Sequence, residues 1–274
     1  MNVRMRFENL YFELTEAFNA EGRIAILASG QAVVYYRLAI MSKDGDWILK
    51  ESDEACRRVL DVLAARGARY RLGAPLDPRW LAGGWSSHFE LADARGRRIR
   101  CDFFSRPPRV PTAELEALFS TGETQPVLAV VGVEALIRMK QTQRAKDYPT
   151  IGELARLLPP EREIELTTDP DRIMDLASEH GQGSRRPCVQ AALSEGTRRA
   201  VVLALAEEVD DLQERDRARL QRYDRAAAPY LQAVRSLGRE ALGLLGSHPR
   251  LCALAERLLP THVAPPEGRD EDAQ

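Results

Sequence analysis

Apolar residues spaced three or four positions apart predict a helix near the start of the chain. The predicted helix covers residues 5–20, and its apolar face consists of Phe7, Leu10, Tyr11, Leu14 and Phe18. The next segment, Arg23–Ala28, is a short apolar run typical of a buried strand. Ser29-Gly30 interrupts that run, and a second, short helix is predicted from Gln31 to Leu38.

A strand, a helix and then a region of strands between residues 68 and 104 follow in the predicted pattern. Asp44–Leu49 is predicted to be a strand, and Ser52 is a suitable N-cap for a helix that runs to about Arg66. The segments Ser86–Leu91 and Arg98–Phe104 flank a short polar connection that contains a glycine. This arrangement is typical of a β-hairpin, so a small sheet is predicted in the first half of the chain.

The second half of the chain has a helical pattern. Val133–Gln143 and Thr150–Leu158 are candidate helices, and Pro159-Pro160 is interpreted as a linker. Several more helices are predicted between residues 161 and 262, among them a strongly charged one around Arg198–Arg222. The tail from Ala264 is rich in proline and charge and is expected to fray.

These elements predict an α+β protein in three parts. Residues 1–158 would form a domain with a small mixed sheet flanked by helices, and residues 159–263 would form an all-helical domain. Residues 264–274 would form a flexible tail.

Composition narrows the function classes. The chain of 274 residues is 44% hydrophobic and 29% charged, which excludes global disorder. Its formal charge of −2 gives no support to a generally basic nucleic-acid binder. The four cysteines form no Cys-x-x-Cys pair, which argues against a zinc cage or a disulfide framework. The longest apolar stretch, 126–137, is too short to span a membrane, and without a signal-peptide layout the expected compartment is the cytoplasm.

Three aspartates are the candidate metal ligands. Asp44 and Asp46 are two positions apart, so on a strand their side chains emerge from one face. Asp102 lies among apolar residues on the second arm of the predicted hairpin, where an unpaired carboxylate is costly. Carboxylate oxygens suit Mg²⁺, with water and substrate phosphates as the other ligands. The alternative is that Asp44-Gly45-Asp46 is a turn and Asp102 a charge at the hairpin edge.

Ser29-Gly30 is a candidate phosphate-binding turn. A pair of small residues between a strand and a helix exposes backbone N–H groups that can hold a phosphate. The alternative is an ordinary tight turn.

The order of these elements resembles the nucleotidyltransferase superfamily with the polymerase-β-type fold. The matching segments are Leu27-Ala28-Ser29-Gly30, Ser42-Lys43-Asp44-Gly45-Asp46 and Arg100-Cys101-Asp102. A fourth block, Leu136–Lys140 followed by Arg144–Asp147, is similar to the helical signature of bacterial minimal nucleotidyltransferases. That group includes toxin components of abortive-infection and toxin–antitoxin pairs. The resemblance covers roughly residues 20–158.

The resemblance implies a metal-dependent enzyme that moves a nucleoside monophosphate from an NTP to an acceptor hydroxyl. Asp44, Asp46 and Asp102 would hold Mg²⁺ or Mn²⁺ and carry catalysis. The residues that would bind the nucleotide are Ser29, Gly30, Lys43 and Lys140. The acceptor would be a protein, a tRNA or a small molecule, and a cognate protein partner is conceivable in a toxin–antitoxin or phage-defence role.

Among the departures from the pattern of that superfamily, two lie in the candidate site. Ser29 stands where the family usually has glycine, and Gly45 stands between the paired aspartates, where an apolar residue is usual. These departures leave a second hypothesis open, a nucleotidyltransferase-like module without catalysis that acts as a binding or regulatory partner.

Overall fold

The computed structural model describes residues 9–120, 128–237 and 243–263. The predicted tail from Ala264 and the first residues of the predicted N-terminal helix therefore lie outside the described residues. The chain divides into two compact units. Unit 1 consists of residues up to Val131 and from Arg222 onward, and unit 2 consists of Gly132–Gln221. These units are defined by contacts between residues. The predicted domain boundary at residue 158 stays a prediction.

Unit 1 is built on a mixed five-stranded sheet with the order β1-β2-β5-β4-β3. The central pair, β2 and β5, is parallel, and the other neighbours are antiparallel. The parallel pair places residues that are more than fifty positions apart in sequence side by side. The strands are β1 (Ala25–Ala28), β2 (Asp44–Leu49), β3 (Arg69–Tyr70), β4 (Ser87–Ala92) and β5 (Arg98–Phe104).

The two faces of the central strands differ because their side chains alternate. Along β5, every second residue from Ile99 is buried, and the residues between them are partly exposed. The buried face carries Trp47 and Phe103, whose rings are stacked with centroids 5.2 Å apart. The opposite face is the polar one, so the carboxylates of β2 and β5 avoid the core.

Helices of unit 1 cover the buried face and extend the core. Phe18 of the first helix contacts both Trp47 and Phe103 edge to face, and Thr15 accepts a hydrogen bond of 2.8 Å from the Trp47 indole. The helices that lie wholly within this unit are α1 (Leu10–Phe18), α2 (Ser29–Tyr35), α3 (Asp53–Ala64), α4 (Pro78–Ala82), α5 (Thr112–Ser120) and α12 (Leu244–Leu258).

Unit 2 is helical. Its core includes Ile164, Ile173, Cys188 and Val201, which are fully buried. Two arginine–glutamate pairs, Arg172–Glu163 and Arg186–Glu208, lie beside this core. The helices of this unit are α6 (Val133–Lys140), a short 3₁₀ turn (Ala145–Asp147), α7 (Tyr148–Ala155), α8 (Pro160–Leu166), α9 (Pro170–His180), α10 (Pro187–Glu195) and the first part of α11 (Arg198–Ser236).

The observed elements confirm the α+β class, the mixed sheet with flanking helices and the helical region that follows it. Ser52 caps α3 as predicted, since its side chain accepts a hydrogen bond from the Ala55 amide. The linker interpretation of Pro159-Pro160 was wrong: Pro159 is the N-cap of α8 and Pro160 its first residue, a position where the missing N–H costs nothing. The charged helix predicted around residues 198–222 continues to Ser236.

Two short elements, β3 and α4, have no counterpart among the predicted elements. β3 has only two residues and α4 only five, too few for a period to be recognised. Within the described residues, no helix has both the length and the apolar character that crossing a bilayer requires.

Candidate active site

The sheet register brings the three candidate aspartates onto one face of the central strands. Asp46 and Asp102 are register partners on the parallel strands β2 and β5. Asp44 precedes Asp46 by two positions, so its side chain emerges from the same face. All three residues are partly exposed, whereas their neighbours Gly45 and Cys101 are buried on the opposite face. Asp44-Gly45-Asp46 is therefore the start of a strand, as predicted, and the alternative interpretation as a turn is wrong.

Arginine and histidine side chains lie beside two of these carboxylates. Arg100 is the register partner of Asp44, and its guanidinium lies 3.5 Å from Asp44 Oδ1. His88 on β4 lies opposite Asp102, with Nδ1 2.9 Å from Asp102 Oδ1. Arg71, which follows β3, approaches the same oxygen at 3.6 Å. The polar face therefore balances carboxylates with positive and titratable side chains.

Asp44 Oδ1 and Asp102 Oδ1 are buried atoms that accept no hydrogen bond. Arg100, Arg71 and His88 lie within 3.6 Å of these atoms, but none of them donates a well-directed N–H to them. A buried carboxylate oxygen without a hydrogen bond is costly, and coordination to a hard cation would satisfy it. The donor chemistry of the three aspartates thus fits Mg²⁺ or Mn²⁺.

The three aspartates have suitable donor atoms for a metal ion, but these atoms are not gathered around one point. Over the described ranges, no group of three His, Cys, Asp or Glu side chains is gathered closely enough to hold a metal ion. The strand register is compatible with such a group, because Asp44, Asp46 and Asp102 share one face. Metal binding would require carboxylates to turn away from Arg100, His88 and Arg71.

Ser29 and Gly30 begin α2 directly after β1, beside the aspartates. Ala28, the last residue of β1, is the register partner of Asp46. Ser29 has a φ of +47°, a conformation that a residue with a side chain rarely adopts. A Cβ on Gly30 would lie 2.3 Å from Ser42 Oγ, so Ser42 restricts this position to glycine. α2 has only seven residues, so its helix dipole contributes little positive potential at the N-terminal turn.

A cleft of about 1030 Å³ in unit 1 opens beside Asp44. Lys43 and Arg100 line it close to that carboxylate, and the loop between α2 and β2 forms part of its wall. Ile40 and Met41 of this loop are 98% and 75% exposed. The other charged residues of the wall are Arg37, Asp93, Arg97 and Arg98. Positive charges outnumber negative ones in the wall, which favours an anionic ligand.

Two groups that touch the back of the site are chemically inert near neutral pH. Burial, and then the neighbouring Cys101, Asp44 and Asp46, raise the pKa of Tyr11 above its ordinary value. The Tyr11 hydroxyl donates a hydrogen bond of 2.6 Å to the Lys43 carbonyl. Burial and the charge of Asp102 raise the pKa of the Cys101 thiol. Tyr11 therefore positions the strand start, and Cys101 acts as an apolar core residue.

Gly45 is explained by the same packing. A Cβ at this position would lie 2.4 Å from the rings of both Tyr11 and Trp47. The space that an apolar side chain would fill is thus occupied by two aromatic rings, so core packing accounts for the glycine at this position.

Lys140, the remaining predicted nucleotide-binding residue, belongs to unit 2. It lies at the end of α6, and its Nζ is 3.5 Å from Asp147 Oδ1, with both side chains only 10% exposed. Asp147 also accepts hydrogen bonds from Thr142 and Arg144. Asp147, which ends the fourth block of the resemblance, is therefore a buried residue that binds Lys140.

Sequence reasoning gave His88 and Arg71 no role beside a specific aspartate. The pairing of His88 with Asp102 follows from the hairpin register, in which Ala92 faces Arg98. That hairpin was predicted from the sequence. Pairing its residues outward from the turn would have placed His88 opposite Asp102. Arg71 had no such signal, because β3 is too short to be recognised.

No family model matches the chain, and no curated protein matches it either. Two solved structures from Helicobacter pylori are similar in part. JHP933 has 13% sequence identity and a TM-score of 0.40, with 81% of this chain and 97% of that chain covered. A candidate nucleotidyltransferase has 14% identity and a TM-score of 0.39, with 80% of this chain and 98% of that chain covered. At these values neither similarity identifies a family or an activity.

Proposed function

We propose that the chain is a metal-dependent nucleotidyltransferase that moves a nucleoside monophosphate from an NTP to an acceptor hydroxyl. The observation that carries the proposal is the register of β2 and β5, which puts Asp44, Asp46 and Asp102 on one polar face. Buried oxygens of Asp44 and Asp102 without hydrogen bonds support it, because such oxygens suit a divalent cation.

In this proposal Asp44, Asp46 and Asp102 hold Mg²⁺ or Mn²⁺. The metal would supply charge stabilisation for the triphosphate and would lower the pKa of the attacking hydroxyl. The acceptor oxygen forms a bond to the α-phosphorus, the bond from that phosphorus to the β-bridging oxygen breaks, and pyrophosphate leaves. Asp102 accepts the proton of the acceptor hydroxyl.

The nucleotide is bound by residues around the aspartates. The Ser29 hydroxyl and the Gly30 amide donate to phosphate oxygens from the turn beside Asp46. Lys43 contributes positive charge from the wall of the cleft. Lys140 is a further proposed phosphate ligand, and it would have to leave Asp147 to act as one.

The acceptor is proposed to be a protein, a tRNA or a small molecule. The resemblance in the sequence to toxin-type nucleotidyltransferases supports a toxin–antitoxin or phage-defence role with a cognate protein partner. Label transferred from an α-labelled NTP in a cell lysate would identify the acceptor class, because each class separates differently on a gel.

A specific observation favours a second candidate, a nucleotidyltransferase-like module without catalysis. Among the residues that the structure describes, carboxylates of the site are paired with Arg100, His88 and Arg71, and no three-ligand group is assembled. Such a module would use this unit for binding and would not depend on a metal.

Nucleotide binding with and without metal distinguishes the two candidates. The purified chain is titrated with each NTP in Mg²⁺ or in a chelator, together with Asp46→Asn and the control Asp61→Asn, which changes an exposed carboxylate on α3. If the chain is an enzyme, NTP binding should depend on Mg²⁺. The Asp61→Asn control should retain this binding, and Asp46→Asn should lose it. Binding that is equal in the chelator favours the module, and no binding of any NTP overturns the nucleotidyltransferase.

A further inference from the structure

We propose that Arg100 and Arg71 are exchangeable counter-ions of this site. In the metal-free protein they neutralise Asp44 and Asp102, and when a divalent cation takes those carboxylates they are released to bind a polyphosphate. This inference rests on the proposed nucleotidyltransferase function and names residues that would bind its phosphates.

The geometry of these pairs is loose. The Arg100–Asp44 and Arg71–Asp102 distances are 3.5 and 3.6 Å, whereas charged hydrogen bonds are usually about 2.7–2.9 Å. The carboxylate oxygens concerned, Asp44 Oδ1 and Asp102 Oδ1, are buried and accept no hydrogen bond. Each guanidinium therefore supplies charge to its carboxylate without satisfying it.

Two other ion pairs of the same protein are tight. Arg106 binds Glu51 through two nitrogens at 2.7 and 2.9 Å, and Arg172 binds Glu163 through two nitrogens at 2.8 Å. These bidentate pairs satisfy both partners and have the geometry of structural bridges. The Arg98–Glu90 pair is also long, at 3.8 Å, but Glu90 accepts a hydrogen bond from Arg69. At the site, both the long distance and the unsatisfied oxygens indicate pairs that are held by charge and can be exchanged.

The charge balance of the polar face gives the exchange a direction. Asp44, Asp46 and Asp102 carry three negative charges, and Arg71 and Arg100 supply two positive ones. His88 lies beside the same Asp102 oxygen as Arg71, with Nδ1 at 2.9 Å. A divalent cation bound to the carboxylates would leave the site positive, which disfavours a guanidinium at the same oxygens. A polyphosphate would supply the opposite charge, and arginine binds phosphate with a planar set of donors.

Arg100 is placed to make this exchange. It lies on the wall of the cleft that opens beside Asp44, and its side chain is 34% exposed. A turn of the guanidinium away from Asp44 would therefore bring it into solvent within the cleft. Binding of metal and polyphosphate would be mutually favourable, since each removes a competitor of the other.

The test measures two ligands separately on purified protein, Mn²⁺ alone by titration calorimetry and inorganic tripolyphosphate in excess Mg²⁺. The variant is Arg100→Gln, and the matched control is Arg98→Gln. Arg98 is on the same strand face, lines the same cleft and pairs with Glu90, so its variant reports the general effect of losing one positive charge. Arg100→Lys keeps the positive charge, and it replaces Arg100→Gln in the test if that variant melts at a lower temperature than the wild-type chain.

We expect opposite changes for the two ligands. Arg100→Gln should bind Mn²⁺ about two- to fivefold more tightly, the range for loss of a partly exposed ion pair. It should bind tripolyphosphate about tenfold more weakly or worse, since charged hydrogen bonds to phosphate are lost. Arg98→Gln should show clearly smaller changes, and Arg100→Lys should keep wild-type Mn²⁺ affinity but lose part of the tripolyphosphate affinity.

Other combinations overturn the exchange. Weaker Mn²⁺ binding in Arg100→Gln would mean that Arg100 positions Asp44 for the metal, and unchanged tripolyphosphate binding would remove its role as a phosphate ligand. If Arg98→Gln changed the affinities for Mn²⁺ and tripolyphosphate as much as Arg100→Gln does, both changes would reflect the loss of one positive charge and no specific role of Arg100. Failure of the wild-type chain to bind Mn²⁺ would overturn the proposed function itself, and this result is distinct from any difference between variants.

Discussion

Individual residues around the aspartates are restricted by close contacts. Gly30 faces Ser42, and Gly45 faces the rings of Tyr11 and Trp47, each within 2.4 Å of where a Cβ would lie. Neither glycine has a positive φ, so space and not backbone conformation selects glycine at both positions. The packing thus fixes the turn after β1 and the start of β2, which frame the candidate site.

The contact between Gly30 and Ser42 predicts coupled effects on stability. Gly30→Ala should lower the free energy of unfolding by about 1–3 kcal/mol, the usual cost of overpacking. Ser42→Gly removes both atoms that the new methyl group would meet, so the double variant should be less destabilised than the sum of the single variants. Urea denaturation of the four proteins measures the coupling, and additive effects would contradict the contact.

The site residues differ in how far sequence reasoning could find them. Asp44 and Asp46 were predictable because a two-residue spacing on a strand places both side chains on one face. The pairing of Asp102 with Asp46 required the parallel register of β2 and β5, which no local pattern contains. The cations beside the carboxylates depend on that same register and on the position of β3, so they emerged only with the fold.

Among the elements, those with strong local signals were predicted most closely. The strands at Asp44–Leu49 and Arg98–Phe104 match in full. Apolar and polar residues alternate along the second, and the first ends in the short apolar run Trp47-Ile48-Leu49. α3 has its cap at Ser52 and ends before Gly67, which has a φ of +67°. Pro159-Pro160 was misread because proline both ends and begins helices, and only the following residues decide which.

The cap of α3 provides a test at this scale. Ser52→Ala removes the side-chain acceptor of the Ala55 amide and should lower the free energy of unfolding by about 1 kcal/mol. Ser52→Asp keeps an acceptor at the N-terminus of the helix and should retain most of the stability. Equal losses in both variants, measured by thermal melting, would show that the hydroxyl acts by some contact other than capping.

At the scale of the whole molecule, each of the two compact units has its own means of stabilisation. Unit 1 relies on the aromatic contacts of Phe18, Trp47 and Phe103 over the sheet. Unit 2 relies on an ion-pair cluster as well as its apolar core. Glu208 accepts hydrogen bonds from the Arg186 side chain and the Cys188 amide, and Arg186 donates to carbonyls at the end of α8.

This cluster predicts a large effect of one substitution in unit 2. Glu208→Gln would leave the Arg186 guanidinium largely buried without a counter-charge, which should cost about 3 kcal/mol. Hydrogen exchange should then speed up in α8 and α10, which the cluster joins. Glu214→Gln, an exposed change on the same helix, is the control. Unchanged protection of α8 and α10 in Glu208→Gln would contradict a stabilising role for the cluster.

Transfer of label from α-labelled NTPs tests the central proposal most directly. Wild-type chain, Asp44→Asn, Asp46→Asn, Asp102→Asn and the exposed control Asp61→Asn are each incubated with Mg²⁺, a cell lysate and the four labelled NTPs. We expect wild type and Asp61→Asn to attach label to an acceptor, and the three site variants and a chelator-treated sample to attach none. Label that persists in the site variants, or no label with the folded wild-type chain, would contradict a nucleotidyltransferase site at Asp44, Asp46 and Asp102.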